Sequence, residues 1–549
     1  MKRAVATLLT LVCVAVTFAP ATRVFPQPRT QNPRYVPGQL LVKLKAGVSD
    51  MGDVPEFVAR PQGGIEPLMK SARGGDLLLV NLDGESVEEA AARLGQDARV
   101  EFAEPNYLWH AAAVPNDALF NQQYALMNTG SFLAGKPGAD IGATQAWDIT
   151  TGRDDMVVAV IDTGVDLSHP DLAPNAWTNT REIANNGIDD DGNGYVDDVH
   201  GWNYVTNSPK NYDDPDNDWH GTHVTGAIGA AGNNQIGVTG VAWHVKLMVL
   251  KFLGAQTGST ADAVKAINYA LDQKRRGQNV RVINASWAGT SESLALKNVI
   301  IDAGNNGILF VCAAGNGAIN SEGVDLESSP VYPAAWSADV PTIIAVAAAN
   351  NTDSFASFSN YGLTRVQVAA PGVFTISTIP NGDYGYGQGT SMSAPVVTGV
   401  AALLFSHEPN LTAAEARRRI VRTADPQPTL AGRIASAGRV NAFNALTNTV
   451  PHAPTRPAIG AVGLTKKMVI VDGIGFGSGG AMIEVNGMAL AKSHVNTDLT
   501  LADGTAAELL AKLGKPGINQ TFPAGVPVTV TVYNPATGER SEPFTFTRK

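Results

Sequence analysis

The sequence predicts an α/β protein with a mainly parallel sheet, preceded by a small α+β unit and followed by a β-sandwich. Three observations lead there. Between residues 115 and 447, apolar runs of five to eight residues alternate with helical segments, the pattern of a parallel sheet buried on both faces. Residues 448–458 carry three prolines and read as a linker. Beyond it, residues 459–549 break into short β-prone runs separated by Gly-rich turns. At 549 residues the chain is too long for one ordinary domain of about 100–200 residues.

In chain order, Lys2-Arg3, an apolar run Ala4–Ala19 and Ala19-Pro20-Ala21 form a secretory signal over residues 1–21. The run is short for a membrane-spanning helix of about 20 residues. This places the mature chain outside the cytoplasm, extracellular or periplasmic, with no transmembrane segment. Cys13 lies in the signal, so Cys312 stands alone and no intramolecular disulfide is expected.

Residues 36–112 hold strands at Gln39–Leu44 and Asp76–Leu82. A helix over Ser86–Leu94 opens on a Ser86/Glu89 capping box, and a strand at Val100–Phe102 leads into Pro105. The buried strands that follow are Met156–Ile161, Val245–Phe252, Val280–Ala285, Ile308–Ala314, Thr342–Ala348 and Val366–Ala370. A helix over Asp262–Arg276 stops at Gly277, and Thr412 and Glu415 box the start of another. In the tail, Lys467–Val471, Ala481–Val485 and Val526–Tyr533 read as strands.

The chain carries 40 Lys+Arg against 50 Asp+Glu, a net charge of -10, with 44% apolar and 16% charged residues. That excludes a disordered polyelectrolyte, and the acidic balance argues against nucleic acid or an anionic membrane as partner. The acidity is local: Glu182 to Asp218 holds ten acidic residues and one basic, Lys210. Within this insert Asp189, Asp191, Asn193 and Asp197 stand at positions 1, 3, 5 and 9 of a calcium-loop spacing. Gly194 occupies the sharp-turn position and Tyr195 offers its carbonyl. His200 replaces the closing Glu, so Asp198 or another residue must complete the shell. The alternative is a solvated acidic loop.

Three segments carry nucleophilic chemistry. Val157–Ile161 ends in Asp162-Thr163-Gly164, a carboxylate at the carboxyl end of a buried strand, where open α/β sheets place their sites. His220-Gly221-Thr222-His223 opens a small-residue helix, with His220 in its first turn facing a cleft and His223 on the buried side. Zinc fits poorly, because the histidines are spaced i,i+3 and no Glu follows His220. Gly389-Thr390-Ser391-Met392-Ser393-Ala394-Pro395 puts Ser391 at the start of an apolar helix, where free N–H groups favour an oxyanion. Singly, each could be a turn Asp, a core His or an N-cap Ser. Together their order is Asp162, His220, Ser391, the Asp-His-Ser order of subtilisin rather than of chymotrypsin or the α/β-hydrolases.

These three motifs closely resemble the signatures of subtilisin-like serine proteases, over roughly residues 115–447. The resemblance implies a three-layer α/β domain and a calcium-stabilised serine endopeptidase, a monomer acting on protein or peptide substrates. His220 would be the base, Asp162 its orienting carboxylate and Ser391 the nucleophile. Asn316, in Ala313-Ala314-Gly315-Asn316, would join the Ser391 N–H in the oxyanion hole. Substrate would pair beside Ser286-Trp287-Ala288-Gly289, with Ala313, Ala314 and Gly315 walling the first specificity pocket. These segments hold no acidic residue, which favours an apolar or aromatic P1 side chain; broad specificity stays open. The resemblance also implies a second calcium site from Asp117, Asp171 and Asn234 with the carbonyls of Gly232, Ile236 and Val238. Residues 36–112 resemble an inhibitory, chaperoning propeptide whose Glu104–His110 segment would reach the active site, with cleavage near His110–Ala113. The tail resembles IPT/TIG modules. The competing function is a catalytically inactive subtilase fold that binds or adheres, which would require a lost triad member or oxyanion donor.

Overall fold

The computed structural model describes residues 35–48, 65–70, 75–107 except 83 and 85, 114–451 except 256, 319 and 320, and 457–548 except 466, 478, 491–492, 497–506 and 514–516. The signal over 1–21 and the cleavage region His110–Ala113 lie outside the described residues. The chain divides into two compact units, Met1–Ala111 and Ala112–Lys549.

The first unit is an antiparallel sheet in the order Ile65–Met69, Leu77–Asn81, Tyr35–Leu44, Val100–Tyr107, with one helix, Val87–Leu94. Alternate residues Leu40, Val42, Leu44, Leu78 and Val80 meet Val87, Ala90 and Leu94 of the helix in one core. The Ser86 hydroxyl caps that helix by accepting the Glu89 N–H. The last strand runs through Pro105 to Tyr107; it lies at the sheet edge, where a missing N–H is tolerated.

In the second unit a nine-stranded sheet runs Asp425–Pro426, Gly438–Arg439, Val368–Pro371, Ile343–Ala349, Leu309–Ala313, Val280–Ala285, Gly152–Asp162, His244–Lys251, Gly201–Asn203. All its pairings are parallel except the first. The chain leaves Gly152–Asp162 towards one edge and returns on its other side at Val280–Ala285, so this strand is a topological switch point. Its side chains divide strictly by parity. Met156, Val158 and Val160 join the core that contains the helices Pro215–Gly229 and Thr390–His407, whereas Val157, Ala159 and Ile161 join the core with Thr260–Arg275 and Leu294–Asn305. Asp162 continues the even series and so opens towards the two helices that carry His220 and Ser391. The Thr260–Arg275 helix ends before Gly277, whose φ of +97° is the left-handed stop, and the Thr412/Glu415 capping box is formed.

The tail folds as two sheets. Ala458–Leu464, Met468–Ile474, Glu508–Lys512 and Ser493–Val495 form one; Met488–Ala489, Met482–Val485, Pro527–Asn534, Glu539–Arg540 and Phe544–Thr547 form the other. Val469, Val471 and Leu509 of the first sheet share a core with Ile483, Val530 and Val532 of the second, which makes it a β-sandwich. The sandwich is seated on the body of the nine-stranded sheet: Ile474 and Ala507 pack against Ala431 and Ala437. At Gly460 a Cβ would lie 1.5 Å from the Pro428 carbonyl oxygen. The Pro-rich stretch therefore joins two packed bodies.

Candidate active site

Asp162 is fully buried, and its Oδ1 accepts both the Thr163 N–H and the imidazole of His220, with Nδ1 at 2.7 Å. The bond commits Nδ1 and leaves Nε2 as the basic nitrogen. Burial by itself would lower the His220 pKa; the Asp162 charge and hydrogen bond outweigh it and raise it. His220 lies in the second turn rather than the first, because the helix starts at Pro215, a residue favoured at the opening position. His223, fully buried, is pushed down to about 4 by burial and hydrogen-bonds the Thr375 carbonyl through Nε2 at 3.1 Å.

The strand exit and the His220 helix are stitched together residue by residue. Gly221 donates to Thr163 Oγ1 at 2.9 Å, Gly164 to Asp218 Oδ1 at 2.7 Å, and Asp166 to Thr222 Oγ1 at 3.1 Å. Only glycines permit this approach: a Cβ on Gly221 would lie 2.5 Å from the Gly164 carbonyl oxygen. Behind the dyad, Asp218 forms a buried ion pair with Lys251 at 2.6 Å, and Lys251 also pairs with Asp213. Lys251 is the register partner of Asp162 on the neighbouring strand. Burial opposes the Lys251 charge, but its bonds to Asp213 and Asp218 prevail and raise its pKa. Sequence reasoning passed over this pair, although a Lys between Leu250 and Phe252 in an apolar run was visible.

Ser391 is the second residue of the 18-residue helix Thr390–His407. Its hydroxyl donates to the Ser286 carbonyl at 3.1 Å. Pro395 is the sixth residue, where its missing N–H withdraws the i→i−4 bond from the Ser391 carbonyl; Ser286 Oγ fills that place at 2.8 Å. Asn316 Oδ1 accepts from Thr390 N at 3.0 Å and Thr390 Oγ1 at 3.1 Å, which fixes the amide flip. Its Nδ2 and the Ser391 N–H converge around Gly389: a Cβ there would lie 3.4 Å from the first nitrogen and 3.7 Å from the second. Gly389 has φ +143°, so the position both needs and permits a glycine. Two N–H donors thus face one small space, the arrangement that binds an oxyanion.

The substrate-edge residues are placed unequally. Trp287 donates its indole N–H to the Ile161 carbonyl at 2.8 Å and packs on Phe252. Gly289 is already paired through both backbone groups with Tyr332, which leaves Trp287 and Ala288 as the shorter open stretch. Ala313 and Ala314 are buried in the two cores, and Gly315 beside them is buried as well. Ala288 and Val331 face Gly315, 3.6 and 3.4 Å from where its Cβ would be.

In the acidic insert the carboxylates of Glu182, Asp189 and Asp191 converge within 4.8 Å. Glu182, seven residues ahead of the spacing pattern, supplies the carboxylate that His200 lacks; His200 instead bonds the Trp177 carbonyl. Asp197 turns away to accept the Asn186 and Gly187 N–H groups. Asp198 holds Asn179, Asn193 and the Tyr269 hydroxyl. The Tyr195 ring packs against Trp202 and Tyr269. Burial, then neighbouring carboxylates, raise the pKa of Glu182, and burial raises that of Asp198.

At the second candidate site Asp171 accepts from Asn234 Nδ2 at 2.8 Å, Val238 N at 3.0 Å and Tyr384 Oη at 2.9 Å, while Asp117 accepts the Asn233 N–H at 2.7 Å. Asn233, Gln235 and Gly237 take positive φ and coil the loop that holds Gly232, Ile236 and Val238. Asp117 Oδ1 is buried without a partner, and burial raises the Asp117 pKa. A buried, orphaned carboxylate oxygen with a second carboxylate, Asp171, nearby offers hard donors of the kind calcium takes.

The chain is similar to known proteins over both of its units. The Subtilase family (peptidase S8) matches residues 153–453, and the fervidolysin N-terminal prodomain matches residues 21–106. A thermophilic serine proteinase of Bacillus sp. (strain AK1) is 36% identical over 364 residues, covering 66% of this chain and 76% of that protein. An extracellular protease of Xanthomonas campestris pv. campestris is 33% identical over 406 residues, covering 70% of this chain and 66% of its own length. A solved structure, of proteases from Pseudoalteromonas arctica, is 30% identical with a TM-score of 0.48, covering 61% of this chain and 99% of the other. Among the described residues no helix is long and apolar enough to cross a membrane. With more than half of the chain matched, and its N-terminal unit matched to a prodomain, the protein belongs to the subtilase family of serine proteases.

Proposed function

We propose that the chain is a secreted serine endopeptidase whose triad is Asp162, His220 and Ser391. The observation that carries this reading is the 2.7 Å bond from His220 Nδ1 to buried Asp162, with Ser391 at a helix N-terminus. The Ser391 hydroxyl swings from the Ser286 carbonyl to His220 Nε2, gives up its proton and attacks the scissile carbonyl carbon. The oxyanion is held by the Ser391 N–H and Asn316 Nδ2. Imidazolium, stabilised by Asp162, protonates the leaving amine, and water then hydrolyses the acyl-enzyme by the reverse relay. Ala288 and Val331, which with the Asn360 amide surround Gly315, suit an apolar rather than a basic P1 side chain.

Two calcium ions would staple a mature chain that has no disulfide. Asp117, Asp171 and Asn234 with carbonyls of Gly232, Ile236 and Val238 would hold one. Glu182, Asp189 and Asp191, with oxygens from Asn193 and Tyr195, would hold the other. The ions supply cross-linking and charge neutralisation, not chemistry. Residues 1–21 direct export, residues 36–112 inhibit in cis until cleaved, and the IPT/TIG-like tail is an accessory domain.

A fluorophosphonate probe should label the mature protein at Ser391. Ser391→Ala should be unlabelled and accumulate as uncleaved precursor; a processed Ser391→Ala chain would refute self-maturation, and an unlabelled wild type would refute the triad.

A further inference from the structure

Single exposed hydrophobic residues are common and ordinarily mean nothing. Trp219 differs in where it stands. It is 40% exposed, immediately precedes His220, and sets its indole edge-on to two imidazoles, with ring centroids 5.8 Å from His220 and 6.3 Å from His223.

His220 has two flanks. On one, Trp287 is anchored to the Ile161 carbonyl and packs with Phe252 over the core that contains Ile161 and Ala285. That flank continues into Ala288 and Gly315, the acyl side of the site. On the other, Trp219 leans on His223, whose Nε2 reaches the Thr375 carbonyl. Thr375 pairs with Gly387 in the hairpin that leads into Ser391, and Ile376 of that hairpin belongs to the opposite core. Gly387 leaves the space beside His223 open; a Cβ there would come within 3.1 Å of the imidazole. Trp219 is thus a large apolar surface on the flank away from the acyl pocket, and the one in ring contact with His220 among the described residues.

We propose that Trp219 is a specificity-determining residue on the leaving-group side, selecting a large apolar or aromatic side chain in the first two residues after the scissile bond. The chemistry requires passage there. The leaving amine must come within hydrogen-bond reach of His220 to take its proton, so the first residues of the departing peptide run past the ring beside Trp219. An aromatic face offers a large area to an apolar side chain and little to glycine.

The proposal rests on the triad reading, and the test separates the two. The mature enzyme is acylated with a peptide p-nitroanilide, whose nitroaniline release shows that acyl-enzyme forms. Amino-acid amides and glycyl dipeptide amides then compete with water. The amine attacks the acyl carbon, the ester bond to Ser391 Oγ breaks, and the amine proton passes through His220 to Oγ.

Phenylalaninamide, or glycyl-phenylalaninamide, should capture the acyl group roughly tenfold better than glycinamide or glycyl-glycinamide. Trp219→Gly should bring the ratio near one, and Trp219→Phe should restore most of it. The ratio is internal to the acyl-enzyme and does not depend on its rate of formation. A wild-type ratio near one, or a Trp219→Gly ratio equal to wild type, overturns the proposal while leaving the triad intact. Should Trp219→Gly fail to fold, the wild-type and Phe ratios still decide. Absence of nitroaniline release overturns the triad reading itself.

Discussion

Ser286 and Ser391 exchange hydrogen bonds: Ser286 Oγ donates to the Ser391 carbonyl, and Ser391 Oγ donates to the Ser286 carbonyl. The first bond exists because Pro395 cannot make it. Ser286→Ala therefore leaves a carbonyl unpaired in a site where Ser286 is almost wholly buried. The expected loss is about 1–3 kcal/mol. A lower midpoint in thermal denaturation, together with reduced kcat at unchanged KM, checks it.

The raised pKa of His220 sets the pH response. Catalysis needs neutral imidazole, so kcat/KM should climb with pH along a limb above the ordinary histidine value of about 6.5. Stability runs the other way: the added stabilisation of the charged Asp162–imidazolium pair is fully present below the unfolded value and is lost as pH rises through the folded one. Asp162→Asn should move the limb to lower pH and reduce kcat by roughly 10⁴, as in the equivalent trypsin variant. A pH–rate profile of both proteins tests this.

Asn316→Ala removes one of two oxyanion donors. The expected fall in kcat is about 10²–10³ with KM little changed, the magnitude known for the corresponding donor of subtilisin. Steady-state kinetics on one peptide substrate would show it.

Lys251→Met strands the carboxylate of Asp218 in the interior. Breaking one side of a buried pair typically destabilises by about 3–5 kcal/mol. The double variant Asp218→Asn with Lys251→Met should recover part of this, because neither charge is then left alone. Urea denaturation of the three proteins gives the comparison.

Chelation should lower the melting temperature, and more at pH 7 than near pH 5. Without cations, Asp117, Glu182 and Asp198 keep raised pKa values, so their ionised forms are penalised in the fold. That penalty acts above the unfolded carboxylate range and is relieved as pH falls through the folded values. An ion present at about 100 times its Kd contributes about 2.7 kcal/mol. Glu182→Gln should remove a large share of the chelator effect, read by calorimetry with and without EGTA.

Most strands and helices of the catalytic domain were legible because a sheet buried on both faces leaves continuous apolar runs, and because caps such as Thr412 and Gly277 act locally. The motifs that bring Asp162 and His220 together were legible because each is contiguous. What escaped depends on pairing across distance. Glu182 reaches Asp189 and Asp191 only through the fold of the insert, and Lys251 meets Asp218 only because its strand lies beside that of Asp162. The pairing of Gly289 with Tyr332 escaped for the same reason, since it too joins residues far apart in the chain. The strand Ile65–Met69 went unread because its pattern is mostly exposed, with a proline inside.

The seating of the sandwich on Ala431 and Ala437 bears on how the protein ages in its own company. A peptidase population nicks itself, and a Pro-rich connector is an obvious target. Here a cut between the domains would leave two fragments held by a small apolar joint and by the close fit of Gly460 against Pro428. The nicked molecule would elute as one particle on gel filtration and as two bands on a denaturing gel. Shedding of the tail would need a second event that opens the joint.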